Sequence, residues 1–336
     1  MAPVRPETTK IRSLKIKASE GERAENGMDR VIALDVGGTL VKYGVVSKDG
    51  ALESAGSFET RAREGGEALM GRILDQVHAL TADHHGAAAV AVSSPGLISA
   101  DHGAIEFAGG NLPGWSGMPV ARRVRQGTGL PCYVENDVNA AALGERWKGA
   151  AAGCRMLVML ALGTGVGGAA IARGQLITGA GGGAGEFGHI VLYPGGFPCT
   201  CGQKGCLEQY ASTGALRRRT LELPEGHPAR DNVRGLFVSC RAGDPNALKL
   251  LNEWVYDLAV GMASLTHAFN PDVLLIGGGV SEQGEYLLNR VRDQLQKLVI
   301  PSFYKDLRVE AAKLGNDAAL LGAASAVFEK TEGMLF

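Results

Sequence analysis

One short pattern occurs twice in this chain: an apolar strand, a glycine turn and a second apolar strand. VIALDVGGTLVKYGVV covers residues 31–46, and MLVMLALGTGVGGAAIA covers residues 156–172. The first strand of the first copy is apolar on both faces, which is typical of a strand at the centre of a sheet. A chain that repeats this unit has two buried strands to cover. We therefore predict two lobes, and we interpret the repeat as an ancient duplication.

The rest of the chain alternates between helical and strand patterns. Apolar residues at helical spacing predict helices over 66–80 and 246–269. AAAVAVSSPG predicts a buried strand that ends in a Pro-Gly turn, and PDVLLIGGGVS predicts a strand that runs into glycines. PCYVENDVNAAALGERWKG predicts a short strand followed directly by a helix, and DAALLGAASAVF predicts a closing helix. This alternation predicts the α/β class.

Composition and charge exclude several kinds of protein. Of the 336 residues, 45% are hydrophobic and 21% are charged, and the formal net charge is −1. Such a balance predicts a globular protein with no broad electrostatic footprint for nucleic acid or an anionic membrane. No apolar run reaches the roughly 18 residues that a membrane span requires, and no secretory signal opens the chain. We expect a cytoplasmic protein, with residues 1–29 as a disordered or flexible tail.

Three glycine turns at strand ends are candidate nucleotide sites. Backbone N–H groups in such turns can surround phosphate oxygens, and an aspartate at the strand end can hold Mg²⁺. Each turn taken alone is weak evidence, because such a hairpin is more often only an ordinary tight turn. The chain has no P-loop motif and no dinucleotide-binding GxGxxG between a strand and a helix. The candidate cofactor residues are Asp35, Gly37, Gly38, Thr39, Gly163, Thr164, Gly165, Gly277, Gly278 and Gly279.

VENDVNAAALGER places polar residues directly before a helix. Asp or Asn in such a position is ordinarily an N-cap. The alternative is a general base: Asp137 would accept the proton of an attacking hydroxyl, as phosphoryl transfer to an alcohol requires. Asn136 beside it, and Asn111 in the upstream loop GGNLPGW, could bond sugar hydroxyls.

The segment from Gly185 to Ser212 is rich in metal-ligating residues. His189, Cys199, Cys201 and Cys206 make a complete tetrahedral set for a closed, structural Zn²⁺ site. Buried free thiols and a disulfide are the alternatives, and a reducing compartment disfavours the disulfide. Glu186 and Glu208 flank the cluster, where a metal-tied loop would hold their carboxylates to grip several hydroxyls.

The same segment carries a family resemblance. GEFGHI followed by CTCGQKGCLEQYAS resembles the signature of the ROK family (repressors, open reading frames, kinases), E-x-G-H then C-x-C-G-x-x-G-C-x-E-x-x-x-S. DVGGT, NLPGW, ENDVNAAALGE, LGTGVGG and IGGGVS occur in the family's order. Within that family the chain resembles the bacterial glucokinases, and the resemblance covers roughly residues 30–330.

The resemblance implies a fold and an organisation into lobes. The fold is the two-lobed actin-like (ribonuclease H-like) ATPase fold, with nucleotide and sugar in the cleft between the lobes. The small N-terminal lobe would comprise residues 30–140 and about 315–336. The large lobe would comprise residues 141–314, including the zinc loop 185–212. The family is commonly dimeric or tetrameric, so a homodimer or homotetramer is expected.

The resemblance also implies an activity: transfer of phosphate from MgATP to a hexose, typically to its 6-hydroxyl. Asp137 would be the base. The implied sugar contacts are Asn111, Asn136, Glu186, His189 and Glu208, and the implied zinc ligands are His189, Cys199, Cys201 and Cys206. The ATP phosphates would meet Gly38, Thr39, Thr164 and Gly165, with adenosine near Gly277–Gly279.

Two departures from the family pattern and several alternative functions remain open. Leu40 stands where a basic residue often follows the first turn, and Ser93-Ser94 precedes Pro95 where the family commonly has A-P-G or G-x-P-G. The serines put glucose itself in doubt. The acceptor could instead be N-acetylmannosamine, N-acetylglucosamine, fructose or a biosynthetic amino sugar, and polyphosphate could replace ATP. A sugar-sensing repressor is a further alternative, although 29 residues are too few for a winged helix-turn-helix module.

Overall fold

The computed structural model describes residues 29–84, 86–99 and 102–332. For residues 331 and 332 it describes the backbone and not the side chains. The predicted tail over residues 1–29 therefore lies, apart from Asp29, outside the described residues. Within the described ranges, no helix combines the length and apolar composition needed to cross a bilayer.

The described chain forms twelve strands. In chain order they are β1 (Arg30–Val36), β2 (Leu40–Ser47), β3 (Leu52–Glu59), β4 (Ala87–Ser94), β5 (Leu97–Ile98), β6 (Ile105–Phe107), β7 (Cys132–Asn136), β8 (Met156–Leu162), β9 (Val166–Ala172), β10 (Gln175–Leu176), β11 (Val273–Gly277) and β12 (Arg308–Ala311).

Ten α-helices accompany these strands in the described residues. They are α1 (Gly66–Asp83), α2 (Val120–Thr128), α3 (Asp137–Lys148), α4 (Glu208–Ala211), α5 (Thr213–Thr220), α6 (Val233–Arg241), α7 (Pro245–Phe269), α8 (Glu285–Leu298), α9 (Pro301–Tyr304) and α10 (Ala318–Glu332). Short 3-10 helices lie at 62–64, 187–189, 279–283 and 315–317.

Two five-stranded sheets share one topology. The first has the order β3-β2-β1-β4-β7, and the second has the order β10-β9-β8-β11-β12. In both sheets the first hairpin is antiparallel, and the strands on the other side of the central strand are parallel to it. The central strands β1 and β8 are the two apolar strands that the repeated pattern predicts. This shared order agrees with the interpretation of the repeat as a duplication.

Helices α3 and α10 lie between the two sheets. Ala140 of α3 packs in one apolar cluster with residues of α10 and with Val31 and Ala89 of the first sheet. Leu143 of α3 packs in another cluster with Leu157 and other residues of the second sheet. The outer face of the first sheet is covered by α1 and α2, and that of the second sheet by α5 to α8.

The predicted elements are present with small differences in length. The helix predicted over 66–80 extends to Asp83, and the helix predicted over 246–269 begins at Pro245. The sequence does not predict β3, which adds a third antiparallel strand to the first sheet. The lobe boundaries near residues 140 and 315 stay a prediction. The packing of α10 on β1, β2 and β4 is compatible with them.

Two glycines let α3 and α10 approach each other closely. A Cβ atom on Gly322 would lie 1.7 Å from the carbonyl oxygen of Ala140. A Cβ atom on Gly144 would lie 2.2 Å from the carbonyl oxygen of Ala318. Because both obstacles are backbone, neither could be relieved by rotating a side chain.

We predict that Gly322→Ala lowers the free energy of unfolding by about 1–3 kcal/mol, the usual cost of overpacking a tight contact. The matched control is Gly71→Ala on α1, where a Cβ meets nothing within 4 Å. That control should be neutral or stabilising by up to about 1 kcal/mol, because alanine favours a helix more than glycine does. Urea denaturation measures both values, and a Gly322→Ala variant as stable as the parent would contradict the close contact.

Candidate active site

The carboxyl ends of parallel strands bring the predicted acidic residues to one sheet edge. Asp35 on β1 lies opposite Ser93 on β4, and Ser94 lies opposite Asn136 on β7. Asp137 follows Asn136 directly as the first residue of α3. Residues far apart in sequence thus meet at the edge where open α/β sheets place their ligands.

A cavity of about 530 Å³ lies between the carboxyl edges of the two sheets, and we call it the central cavity. The first sheet and α3 contribute Asp35, Gly37 and Asp137 to its wall. The second sheet contributes Gly277 and the residues after it. Six of the predicted site residues therefore line one space: Asp35, Gly37, Asp137, Gly277, Gly278 and Gly279.

Asp35 is held by one hydrogen bond and one nearby cation. The Ser93 hydroxyl donates to Asp35 Oδ1 at 2.8 Å, and Lys42 Nζ lies 4.0 Å from Oδ2. Lys42 also donates to Asn316 Oδ1 at 2.9 Å. Burial raises the pKa of the Asp35 carboxyl, while Ser93 and Lys42 act in the opposite direction. This geometry keeps one carboxylate at the end of β1 with a fixed orientation.

At the start of α3, helix capping and the proposed general base fall on two different residues. Asn136 is the N-cap: its Oδ1 accepts from the backbone N–H groups of Val138 and Asn139, at 2.9 and 3.1 Å. Its Nδ2 donates to the carbonyl of Gly96 at 3.0 Å, which leaves one amide hydrogen for another partner. The capping alternative therefore falls on Asn136, and Asp137 is not needed for that purpose.

Asp137 is a carboxylate in an unfavourable place for charge. Burial raises its pKa above the ordinary aspartate value, and the nearby carboxylates of Asp35 and Glu186 raise it further. The backbone N–H of Val138 donates to Asp137 Oδ1 at 2.9 Å and partly offsets these effects. A raised pKa in a cleft is typical of groups that exchange protons during a reaction.

The first glycine turn is fixed from the end of β3. The hydroxyl of Thr60, a fully buried residue, donates to the carbonyl of Gly37 at 2.6 Å. The backbone N–H of Thr60 donates to the carbonyl of Thr39 at 2.8 Å. Gly38 and Thr39 are exposed and do not line the central cavity, although Gly37 does.

A second cavity of about 460 Å³ adjoins the first, and we call it the lateral cavity. Gly163 and Thr164 line it together with the start of α5, and Gly279 belongs to both cavities. The Thr213 hydroxyl donates to the carbonyl of Leu162 at 3.1 Å, and the start of α5 thereby supports the second turn. Gly165 is covered instead by Glu208, whose carboxylate oxygen lies 2.1 Å from the position of a Cβ at residue 165.

The predicted metal ligands converge. His189, Cys199, Cys201 and Cys206 each offer one atom to a group whose members lie within 4.8 Å of one another. The Sγ atoms of Cys201 and Cys206 are 3.7 Å apart, far beyond the roughly 2.05 Å of a disulfide bond. All six cysteines are free thiols, so the disulfide alternative is not what this structure contains. The donor set and its convergence fit a closed tetrahedral site.

His189 connects this cluster to a carboxylate. Its Nδ1 lies 3.6 Å from Cys199 Sγ, and its Nε2 lies 3.9 Å from the carboxylate of Glu186. Glu186 is 60% exposed at its side chain and is within electrostatic reach of Asp137. Glu208 lies on the other side of the cluster, with Oε1 3.4 Å from Cys199 Sγ and Oε2 accepting from the Val166 N–H at 3.3 Å.

The predicted sugar contacts do not line the two cavities. These residues are Asn111, Asn136, Glu186, His189 and Glu208. Asn111 is exposed at the start of the loop anchored by Trp115, which is fully buried and donates from Nε1 to Ser94 Oγ at 2.9 Å. Of these five residues, Glu186 lies close enough to Asp137 to raise its pKa.

Several residues at the site could not be recognised from the sequence. Thr60, Lys313 and Asn316 belong to no motif, and they reach the site only through sheet pairing and the connection from β12 to α10. Ser93 did carry a signal, because Ser93-Ser94 departs from the expected pattern. The structure gives both serines partners: Asp35 for Ser93 and Trp115 for Ser94.

Two sheets of identical topology, with a carboxylate-bearing cavity between their carboxyl edges, define the actin-like ATPase fold found in sugar kinases. The chain belongs to the ROK family, whose profile matches residues 31–330. A glucokinase of Thermotoga maritima is 36% identical over 315 residues, which is 90% of this chain and 99% of that protein. Both the family resemblance and the fold class predicted from the sequence are confirmed.

Solved structures of family members agree with this assignment. A ROK hexokinase from Thermus thermophilus superposes with a TM-score of 0.78 at 33% identity, over 90% of this chain and 99% of that one. A ROK family glucokinase from Streptomyces griseus, in complex with glucose and AMPPNP, gives a TM-score of 0.74 at 34% identity, over 88% of this chain and 98% of that one.

We predict that Asp137→Asn leaves the fold at least as stable as the parent at pH 7.5. Because the folded-state pKa of Asp137 is raised, the folded chain binds this proton more tightly than the unfolded chain. Above that pKa the ionised group therefore costs stability, on the scale of about 1.4 kcal/mol for each unit of pKa shift.

Urea denaturation at several pH values checks this sign. The stability difference between Asp137→Asn and the parent should shrink as the pH falls through the folded-state pKa. The control is Asp75→Asn on the exposed face of α1, which should change little. Marked destabilisation of Asp137→Asn at pH 7.5 would show that its carboxylate stabilises the fold.

Proposed function

We propose that this protein is an ATP-dependent hexose kinase that transfers the γ-phosphate to a sugar hydroxyl, the 6-hydroxyl of glucose or of a related hexose or amino-hexose. One observation carries the proposal. Asp137, a carboxylate with a raised pKa, stands at the start of α3 in the cavity where the carboxyl edges of both sheets meet. Family membership supports the same reaction.

In this function Asp137 is the general base. Its Oδ1 already accepts the N–H of Val138, so Oδ2 is the oxygen that takes the hydroxyl proton. The sugar oxygen then forms its bond to the γ-phosphorus while the bond to the bridging oxygen of ADP breaks. A raised pKa suits this step, because a base with a pKa nearer the working pH accepts the proton with a smaller energetic penalty.

The donor side is built from backbone amides and one carboxylate. The turns at 37–39 and 163–165 offer N–H groups to phosphate oxygens, and Gly277–Gly279 line the central cavity, with Gly279 also lining the lateral cavity. Asp35 fits Mg²⁺, because it is an oriented carboxylate whose Oδ2 accepts no hydrogen bond from the described residues. When bound, the ion would neutralise the charge on the phosphates.

The acceptor side combines carboxylates, amides and an imidazole. Glu186 and His189 Nε2 face each other and can share the hydroxyls of one sugar. Asn136 offers its one remaining amide hydrogen, and Asn111 lies exposed in its loop. Glu208 has only part of its carboxylate free, since one oxygen already accepts the Val166 N–H.

Zinc in the cluster would have a structural role. His189, Cys199, Cys201 and Cys206 supply four ligands and leave no open coordination position for chemistry. The ion would fix the loop that presents Glu186 and Glu208. His189 would then bind zinc through Nδ1, the nitrogen that faces Cys199, and sugar through Nε2.

We predict that a panel of hexoses and amino-hexoses with MgATP identifies at least one acceptor, and that Asp137→Asn lowers kcat for it by a factor of about 100–10,000. ADP release measures both. Asp75→Asn is the matched control and should keep full activity, since it lies on α1 away from both cavities. An active Asp137→Asn variant would disprove the role of the base, and an inactive parent would disprove the kinase.

The pH dependence of kcat/KM should reflect the raised pKa of Asp137. Activity should fall as the pH drops, because the protonated carboxyl cannot accept a proton. The midpoint should lie above the ordinary aspartate value of 3.8. Inorganic polyphosphate in place of ATP, and N-acetylated sugars in the panel, test the alternative donor and acceptors in the same assay.

We predict that the purified protein contains about one zinc ion per chain, as a closed four-ligand site requires. Cys201→Ser should lose most of this zinc, since a hydroxyl is a poor ligand beside three N/S donors. Cys154→Ser is the control, because Cys154 lies outside the cluster. Elemental analysis gives the stoichiometry, and a parent protein without zinc, or a Cys201→Ser variant with full zinc, would contradict the assignment.

A further inference from the structure

Glu145 is a fully buried carboxylate that the proposed mechanism leaves without a role. It lies near the end of α3, and its side chain is 0% exposed to solvent. A buried charge is costly unless it is paired or well hydrogen-bonded. Favourable interactions at this position must therefore offset the cost of burying the carboxylate.

The partners of Glu145 are backbone N–H groups from two separate segments. Oε2 accepts from Ala150, in the turn after α3, at 2.8 Å. Oε1 accepts from Lys313 and from Leu314, each at 2.7 Å. All three bonds are charge-assisted and short, which is characteristic of strong hydrogen bonds.

Only a carboxylate fits this arrangement. The three donors require acceptors on both oxygens, whereas an amide would turn one NH₂ group toward an N–H donor. Gly149 confirms how closely the space is filled: a Cβ there would lie 2.0 Å from Glu145 Oε2. The neighbouring Gly144 packs against the carbonyl of Ala318, so the same stretch of α3 also contacts the start of α10.

The segment that Glu145 holds is part of the central cavity. Residues 313–316, which we call the strap, connect β12 to α10, and Lys313, Gly315 and Asn316 line the cavity. Asn316 also accepts the hydrogen bond from Lys42, which lies beside Asp35. Asp137 lines the same cavity from the opposite end of α3, the helix that carries Glu145.

We propose that Glu145 is a positioning residue for phosphoryl transfer. It fixes the strap to α3, so that the nucleotide-side wall of the central cavity keeps a fixed distance and orientation relative to Asp137. This inference rests on the proposed function. In this role Glu145 touches neither substrate. Its loss should weaken nucleotide binding more than it changes the KM for the sugar.

The test compares Glu145→Gln with the parent at a temperature where both are folded. Calorimetry with the Mg²⁺ complex of AMPPNP should show binding weakened by about tenfold, the scale of one lost hydrogen bond to a charged group. The KM for the best acceptor of the hexose panel should change by less than about twofold, since the strap lines the central cavity and the predicted sugar residues do not. A simple loss of stability would not produce this split.

Asp257→Asn is the matched control. Asp257 on α7 is also a buried carboxylate, 6% exposed, and it accepts from the Tyr193 hydroxyl at 2.5 Å and from Arg219. Its loss should lower the melting temperature and leave the affinity for AMPPNP unchanged. Equal weakening by both substitutions, or normal AMPPNP binding by Glu145→Gln, would overturn the proposal.

Hydrogen exchange on the unmodified protein keeps the proposal testable if Glu145→Gln does not fold. The amides of Lys313 and Leu314 should exchange far more slowly than those of a free peptide, although the Lys313 side chain is exposed. Addition of AMPPNP with Mg²⁺ should slow them further. Exchange at free-peptide rates, or exchange that AMPPNP does not change, would overturn the coupling. Neither of these two exchange measurements needs a sugar. They therefore test the coupling of Glu145 to the nucleotide side even if the parent phosphorylates no sugar of the panel.

Discussion

The contact between α3 and α10 is the constraint on which the rest of the structure depends. In the described residues, α3 and α10 pack against the facing sides of both sheets, so the pair must fit between two apolar surfaces at once. Gly144 and Gly322 make this possible, because the backbone of each helix occupies the space of the other's missing side chain. The distance between the two sheets, and thus the width of the cavity at their edges, follows from how closely the helices approach.

The site itself works against the stability of the fold. Asp35 lies near the end of β1 and Asp137 directly follows β7, with the parallel strand β4 between them, and burial raises the pKa of both. The surroundings of these two carboxylates differ. Asp35 is supported by the Ser93 hydroxyl and by Lys42, whereas Asp137 accepts backbone N–H groups, among them that of Val138, and lies near two other carboxylates. This difference supports the proposed roles, in which Asp35 holds a cation and Asp137 takes a proton. This is the kind of local cost that a functional site imposes on its scaffold.

Local signals in the sequence predict much of this molecule, and pairing at a distance explains what they miss. The repeated strand, turn and strand unit predicts both central hairpins, and the short spacing of Cys199, Cys201 and Cys206 predicts the cluster, because each is set within a few residues. Strand β3 is not predicted, because its sequence LESAGSFE contains glycine, serine and glutamate and does not alternate regularly between apolar and polar residues. Thr60, Lys313 and Asn316 reach the site only through tertiary structure, so no motif marks them. Asn136 shows the limit of a motif: its capping of α3 is local, but its bond to the Gly96 carbonyl depends on the turn after β4.

Glu208 explains why the cysteine-rich loop and the second glycine turn belong to one site. Its carboxylate lies beside Cys199 on one side and fills the space above Gly165 on the other, where it accepts the Val166 N–H. The next residues along the chain begin α5, and Thr213 and Gly214 bond to the backbone at Leu162 and Gly163. The loop that presents the proposed sugar ligands therefore continues directly into the support of the proposed phosphate turn. The proposed acceptor and donor ends of the site are therefore supported by one continuous stretch of chain.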